Sequence, residues 1–369
     1  MDRAARASRP RDQHRRLTCR GTPFDISATG VAQFDISATV DDRVRGAGRR
    51  ARRSTAPAAY PDAVSQAPPT TAPRVVARQV APRFVPAPTP PHDLETGLPA
   101  AVELLRGRRV AVLTGAGISP DSGIPDYRGP GSPPRRPMTY QQFVADPAFR
   151  RTYWARNHVG WRHVHRTRPN AGHEAVMRME ARGAVVGVIT QNVDRLHTLA
   201  GSRRVIDLHG TYAEIVCLDC GDRTTRDALA HRLEALNPGF AGAVGSVADI
   251  EIAPDADAVV ESTEGFRVAD CERCGGMLKP DIVYFGESVP KERVERAYAL
   301  VDAAEALLVA GSSLAVMSGL RFVRHAVRSG RPVVIVNRGA TRADVEATLR
   351  VHAGTSEVLP ALAEQLART

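Results

Sequence analysis

The sequence predicts an α/β protein: a mostly parallel, Rossmann-like sheet with helices on both faces, joined to a smaller lobe. Three observations lead there. Short apolar runs at 110–113, 184–190, 205–208, 306–310 and 332–336 alternate with helix-length segments, the pattern of strands buried on both faces. The first run stops at Gly115-Ala116-Gly117, where small residues let backbone N–H groups approach a phosphate. Two Cys-x-x-Cys pairs, Cys217/Cys220 and Cys271/Cys274, mark a separate metal module.

The chain has 369 residues and a formal net charge of +10. Residues 1–90 hold 16 arginines against 7 aspartates, so nine of the ten net charges lie there. A basic balance invites nucleic acid. Its confinement to one end, and the near absence of lysine outside Lys279 and Lys291, point instead to a solvated tail and a coding bias. The tail lacks periodic pattern and carries Pro68-Pro69, Pro86, Pro88, Pro90 and Pro91. Such a composition buries too little to offset its ordering entropy, so 1–92 is expected to be a disordered Arg/Pro/Ala-rich tail, or to precede the true start. Phe24–Thr29 recurs as Phe34–Thr39, but two copies do not make a stacking repeat. The Arg-rich start faintly resembles a transit peptide, yet it holds Asp2 and Asp12 and no apolar core. No apolar run nears the roughly 20 residues that cross a bilayer. A soluble chain without membrane partners is therefore expected, cytoplasmic in a bacterium and mitochondrial in a eukaryote. Cys19 stands alone in the tail.

From residue 93 the elements follow in order. Leu94, Leu98, Val102 and Leu105 have helical spacing, so 93–107 is read as a helix before the first strand. The turn Gly115-Ala116-Gly117 is either a dinucleotide cradle or a plain strand-to-helix turn, since the full GxGxxG spacing is missing. Ser119 to Arg128 then form a polar loop of turn-formers. Residues 139–182 read as a helical subdomain whose aromatics pack together. Run 184–190 ends in Gln191-Asn192-Val193-Asp194, polar residues that either face the ligand crevice or cap a helix. His209 closes run 205–208 and is either a satisfied polar residue or a base near neutral pH. Four cysteines in two knuckles leave no open coordination position, so one structural zinc ion is expected rather than a catalytic one. The knuckles are separated by a helix, Leu229–Leu236, and an acidic, Gly-rich loop to about 265. Alternation over 278–287 predicts an exposed strand edge, ordinary or able to pair with a peptide. Run 306–310 enters a second small-residue turn, Gly311-Ser312-Ser313; 314–328 reads as a helix, 332–336 as the last strand, and 359–366 as a terminal helix.

GAGIS followed by SGIPDYR resembles the first cofactor motif of the sirtuins, NAD-dependent protein deacylases, with Tyr127 where that family usually has Phe. The resemblance extends over about 93–366. It implies that Gly115, Ala116, Gly117, Ser119, Asp126, Tyr127 and Arg128 hold NAD, together with Gln191, Asn192, Val193 and Asp194 of TQNVDRLH. It implies further contacts from Gly311, Ser312 and Ser313, from Asn337, Arg338 and Gly339 at the adenosine half, and from Thr355 near the adenine. DLHG resembles the family's catalytic segment, which makes His209 the general base beside Asn192 and Asp194. KPDIVYFGE resembles the segment that pairs with substrate, implying peptide contacts at Val283, Phe285 and Gly286. The length of the loop between the knuckles resembles class II sirtuins, the mitochondrial lipoamidase/ADP-ribosyltransferase type (sirtuin four) and its bacterial relatives.

The implied layout is Rossmann-like parts at 93–131, 183–212 and 281–366, a helical subdomain at 132–182, and a zinc module with its inserted loop at 213–280. The implied activity is transfer of an acyl group from a lysine of a protein or peptide to ADP-ribose, with release of nicotinamide. Tyr153, Trp154 and the helices over 132–165 are expected to line the acyl pocket. Mono-ADP-ribosylation from the same site is the nearest rival, and a non-catalytic NAD-sensing scaffold a more distant one.

Overall fold

The computed structural model describes residues 91–127, 138–243, 260 and 262–366. The readings of the tail, of Arg128 and of most of the acidic loop lie outside these residues. Helix α1 (Leu94–Leu105) starts where the Asp93 carboxylate accepts the Thr96 N–H, and it buries Ala101, Val102 and Leu105. Strand β1 (Val110–Thr114) is buried throughout and runs into two short 3₁₀ turns. The helical part is α2 (Tyr140–Ala145) and α3 (Pro147–Val164); α4 (Ala171–Ala181), expected with them in one subdomain over 132–182, instead packs Ala175, Val176 and Met179 into the core that holds Val110 and Val112. Then come β2 (Val185–Thr190), α5 (Leu196–Leu199) and β3 (Val205–Asp207). The smaller lobe adds β4 (Gly210–Cys217), β5 (Arg223–Thr225), α6 (Arg226–Leu236), α7 (Phe240–Ala243) and β6 (Leu278–Ile282). The chain ends with α8 (Lys291–Asp302), β7 (Ala306–Ala310), α9 (Met317–Arg328), β8 (Val333–Val336), β9 (Leu349–Val351) and α10 (Thr355–Gln365).

The large sheet has six parallel strands in the order β3-β2-β1-β7-β8-β9. The order reverses between β1 and β7, which opens the crevice where such sheets take ligands. Alternate residues of each strand feed opposite cores. Val110 and Val112 join α1, α4 and α10 on one face; Ala111 and Leu113 join α8 and α9 on the other.

The small sheet, β5-β4-β6, is antiparallel and packs on α2, α3 and α6 through an aromatic core. Phe143 lies 5.4 Å from the Tyr153 ring and 5.2 Å from that of Tyr284. The fully buried Arg226 has no carboxylate among its hydrogen-bond partners within the described residues. It donates to Asn157 Oδ1 at 3.0 and 3.1 Å and lies over the Trp161 ring at 5.2 Å.

Several expectations shift. His92, assigned to the tail, pairs with β9: its N–H donates to Arg350 O at 2.8 Å and its carbonyl accepts from His352 at 2.8 Å. Helix α9 begins at Met317 rather than 314, because Leu314 sits in the left-handed region at φ 53 and donates its N–H to Ser312 Oγ. Helix α10 starts at Thr355, four residues before the expected point. The edge expected over 278–287 is shorter. Its ladder stops at Ile282, with β6 at the edge of the small sheet as expected, paired to β4. Residues 210–212 and 281–282, expected within the Rossmann-like part, lie in β4 and β6 of this small sheet.

The two glycine turns meet backbone to backbone. Gly117 N–H donates to Gly311 O at 2.8 Å. Gly311 has φ +64, and a Cβ there would lie 2.4 Å from both Gly117 C and Ile118 N. Gly311→Ala is therefore expected to lose about 2–4 kcal/mol by urea denaturation, combining left-handed strain with a backbone clash. Gly330→Ala, at φ +69 with nothing within 4 Å, should lose only about 1 kcal/mol. Equal losses at the two positions would mean that the contact between the turns contributes nothing.

Candidate active site

A cleft of about 1060 Å³ opens at the carboxyl ends of β1, β2, β7 and β8, below the smaller lobe. Its wall gathers Gly115, Ala116, Gly117 and Ser119 from the first turn and Asp126 and Tyr127 from the loop beyond it. Gln191, Asn192, Val193 and Asp194 come from the end of β2, and His209 from the end of β3. Gly311, Ser312 and Ser313 follow β7, Asn337, Arg338 and Gly339 follow β8, and Val283, Phe285 and Gly286 follow β6. Thr355 is not on this wall. It is buried at the start of α10, where its hydroxyl donates to Gly117 O at 3.3 Å and braces the turn from behind.

Asn192 ties the first turn to the end of β2. Its Nδ2 donates to Gly115 O and to Ser119 Oγ, both at 3.1 Å. Ser119 Oγ donates onward to Asp194 Oδ2 at 2.8 Å, and the Leu196 N–H donates to Asp194 Oδ1 at 2.9 Å. Asp194 thus both supports α5 and belongs to the cleft network. Burial raises its carboxyl above the ordinary carboxylate range, against the pull of these donors. Ser312 Oγ donates to Gln191 Oε1 at 2.6 Å, joining the second turn to the same segment.

His209 is held at both ring nitrogens. Nδ1 lies 2.8 Å from Gln191 O and Nε2 lies 2.8 Å from Ser318 Oγ. A carbonyl only accepts, so the proton is on Nδ1, and Nε2 presents a lone pair that the Ser318 hydroxyl donates to. Burial lowers the pKa of His209, and Arg293 and Arg321 add to that, so the ring stays neutral. Gly210 follows with φ +80, where a Cβ would fall 1.8 Å from Asp281 O. The turn that aims the imidazole therefore admits glycine alone.

Residues 283–287 lean on the turn that carries His209. Val283 N–H donates to His209 O at 2.8 Å, and Tyr140 N–H donates to Phe285 O at 3.0 Å. Phe285 is 41% exposed and meets the Tyr127 ring edge-on at 6.5 Å. The buried Lys279 steadies the segment through Glu287, at 3.1 Å, whose carboxylate also accepts the Tyr284 N–H at 2.9 Å.

Sequence reasoning missed Ser318 and Arg321, both on the cleft wall. Their spacing by three on α9, just after the second turn, was the available signal. It also misplaced Trp154. Tyr153 and Arg156 line the cleft, whereas Trp154 is buried in the aromatic core, 5.4 Å from Tyr153 and 5.8 Å from Arg226.

The Sγ atoms of Cys217, Cys220, Cys271 and Cys274 lie within 4.8 Å of one another, with Cys217–Cys274 at 3.6 Å and Cys220–Cys271 at 3.8 Å. Zinc–sulfur bonds of about 2.3 Å give tetrahedral edges of about 3.8 Å, so the set fits one zinc ion. The protonation chemistry agrees. Cys217 is drawn down to about 7, first by the Cys220 backbone N–H, while its neighbours, Cys220 first, push Cys274 up to about 12. Four crowded thiolates need a divalent cation to coexist.

Comparison with known proteins adds the family. The Sir2 family model matches residues 115–318. The NAD-dependent protein deacetylase 1 of Mycobacterium avium (strain 104) is 65% identical over 268 residues, covering 73% of this chain and 95% of that protein. This chain belongs to the Sir2 family. The NAD-dependent protein deacylase SIR4 of Monosiga brevicollis is 48% identical, over 71% of this chain and 87% of that one. A Sir2 enzyme solved with an inhibitor, 2′-O-acetyl-ADP-ribose and a deacetylated p53 peptide superposes with TM-score 0.55 at 31% identity, covering 71% of this chain and 95% of that one. Among the described residues of this Sir2 chain, no helix is long and apolar enough to cross a membrane.

Two predictions follow from this geometry. Zinc removal by a chelator, or Cys271→Ser, should lower the melting temperature by several degrees, since metal binding is coupled to folding; an unchanged melt contradicts the site. Behind the Asn192 network, His173 and His197 pack ring to ring at 4.9 Å, fully enclosed. Burial lowers both, His173 from 6.5 to about 4. A lowered folded pKa means stability present above the unfolded value and lost as pH falls. His173 alone should therefore cost about 2 kcal/mol at pH 5 relative to pH 8, read from urea midpoints. His173→Gln should flatten that difference.

Proposed function

We propose that this chain is an NAD-dependent protein-lysine deacylase, moving the acyl group from lysine to ADP-ribose and releasing nicotinamide. The observation that carries it is the neutral His209. Its Nε2, hydrogen-bonded to Ser318 on the same wall, stands in a cleft lined by two glycine turns on one side and by Val283, Phe285 and Gly286 on the other. The names of the relatives and the ligands of the solved Sir2 complex support the same reading.

NAD bound here supplies an electrophilic ribose carbon that can accept the acyl oxygen. The residues of the chain then divide the work. The turns at Gly115–Gly117 and Gly311–Ser313 offer backbone N–H groups to the pyrophosphate. Asn192 and Asp194 order the floor beneath the nicotinamide end, and Asn337 to Gly339 border the adenosine half. Val283, Phe285 and Gly286 align the peptide backbone. Nε2 of His209 takes the proton from a ribose hydroxyl, and the Gln191 carbonyl, accepting from Nδ1–H, steadies the imidazolium that results. At the acyl end the wall carries Met138, Phe149, Tyr153 and Arg156, a mostly apolar lining with one cation for the acyl chain. A Cys₄ site needs thiols kept reduced, which together with the mycobacterial relative supports a cytoplasmic location.

His209→Ala should lower kcat/KM on an acyl-lysine peptide by 10²-fold or more, on the order expected for a lost general base, with an unchanged melt. In the wild type the active form is neutral, so a lowered pKa moves the acid limb of the kcat/KM profile below 6.5, the ordinary imidazole value. Full activity in the variant, or an acid limb above that value, would remove His209 from the role. Adenine-labelled NAD run alongside shows whether ADP-ribose is instead transferred to protein.

A further inference from the structure

The hydrogen bond between Ser318 and His209 has the geometry of an activated nucleophile as well as that of a braced base. Ser318 Oγ lies 2.8 Å from Nε2, and Nδ1 is oriented by Gln191 O at 2.8 Å. Nucleophile, base and orienting acceptor stand in line, as they do where a serine attacks an acyl carbon. Ser318 also lies in the first turn of the twelve-residue α9, and no side chain among the described residues caps that turn. The leading backbone N–H groups of a helix have no partner within it and favour a negative charge developing nearby. Both side chains line the same cleft.

We propose that Ser318 and His209 form a serine esterase pair that hydrolyses O-acyl-ADP-ribose, the product ester of the deacylation reaction, to ADP-ribose and a carboxylic acid. The choice of ester rests on the deacylase reading. His209 is the group that deprotonates the ribose hydroxyl there, so the newly acylated oxygen is left beside Nε2, within reach of the serine hydrogen-bonded to it. The step needs only water. Ser318 Oγ bonds to the acyl carbon as its proton passes to Nε2. The bond from that carbon to the ribose oxygen breaks, and the proton goes to the departing hydroxyl. A water then gives its proton to Nε2 and its oxygen to the acyl-serine carbon. The bond to Oγ breaks, Oγ takes the proton back, and the carboxylic acid leaves. Nothing is oxidised or reduced.

The test uses the full-length protein with its zinc, given purified O-acetyl-ADP-ribose without NAD or peptide. Free ADP-ribose is followed by chromatography, and acid-quenched protein is mapped by mass spectrometry. Expected are ester loss about 10²-fold or more faster than with Ser318→Ala or His209→Ala, and an acetyl group on Ser318. Ser318→Cys, which keeps a nucleophile at that place, should still accept the acetyl group even where the alanine variant folds poorly. An ester that survives wild-type protein overturns the proposal. So does hydrolysis equally fast in a folded Ser318→Ala variant, because water would then be the nucleophile. Nicotinamide release from NAD and an acetyl-lysine peptide, measured in parallel, separates the two readings. Release with a stable ester sinks the esterase alone; ester cleavage through acetyl-Ser318 without release sinks the deacylase reading and leaves the esterase standing.

Discussion

The hydrogen bond from His209 Nδ1 to the Gln191 carbonyl, 2.8 Å long, is the constraint on which the cleft chemistry depends. It spans the ends of two neighbouring parallel strands, β2 and β3, and settles which ring nitrogen carries the proton. With the proton on Nδ1, Nε2 is a base; with the opposite tautomer it would be a donor and the cleft would hold no proton acceptor at that point. The carbonyl in question belongs to the residue whose side chain accepts from Ser312 and whose N–H is bound to Thr114 O. The imidazole is thereby referenced to β1 and β7, and so to both glycine turns. Displacing any one of these strand ends would misaim the base.

The zinc module acts on the same point from the other lobe. Strand β4 runs from Gly210, next to the base, to Cys217, a zinc ligand; β6 runs from Leu278, soon after Cys274, to Ile282, next to Val283. The two strands pair antiparallel, joining Cys217 to Leu278 at one end and Gly210 to Ile282 at the other. A closed metal knuckle fixes one end of this ribbon, and the ribbon presents the base and the peptide segment at the other. A metal without an open coordination position would here set geometry rather than chemistry. Asp281, gripped by Arg293 at 2.6 Å and Arg223 at 2.9 Å, keeps the functional end of the ribbon against α8.

Much of this was readable beforehand, and the omissions have physical causes. Strands β1, β2 and β7 are apolar on both faces, so their sequences announce them regardless of neighbours. Strand β9 is three residues with Arg350 at its centre, too short and too polar to stand out; it exists because β8 offers it an edge and Asp344 pairs its arginine at 2.8 Å. The cleft residues clustered at strand ends were legible because their turns need unusual residues. Ser318 was not, since its role arises from a contact across 109 residues of chain, which no local pattern encodes. Trp154 was assigned to the acyl pocket beside Tyr153. Adjacent residues on a helix point about 100° apart, so one ring faces the cleft and the other turns into the core above Arg226.

The cofactor loop and the peptide segment are also in direct contact, which bears on how the two substrates depend on each other. Tyr127 lies in the loop that follows the first turn, and its ring meets the exposed Phe285 ring edge-on at 6.5 Å. Phe285 in turn is fixed through its carbonyl to Tyr140 at the start of α2. A ligand held against Tyr127 would therefore also restrict Phe285, and a peptide seated there would find part of its ordering cost already met. By reciprocity a bound peptide favours the same loop arrangement for the cofactor. Tyrosine in place of the family's usual phenylalanine keeps this contact, because the edge-on geometry uses the ring alone and leaves the hydroxyl outside the aromatic pair.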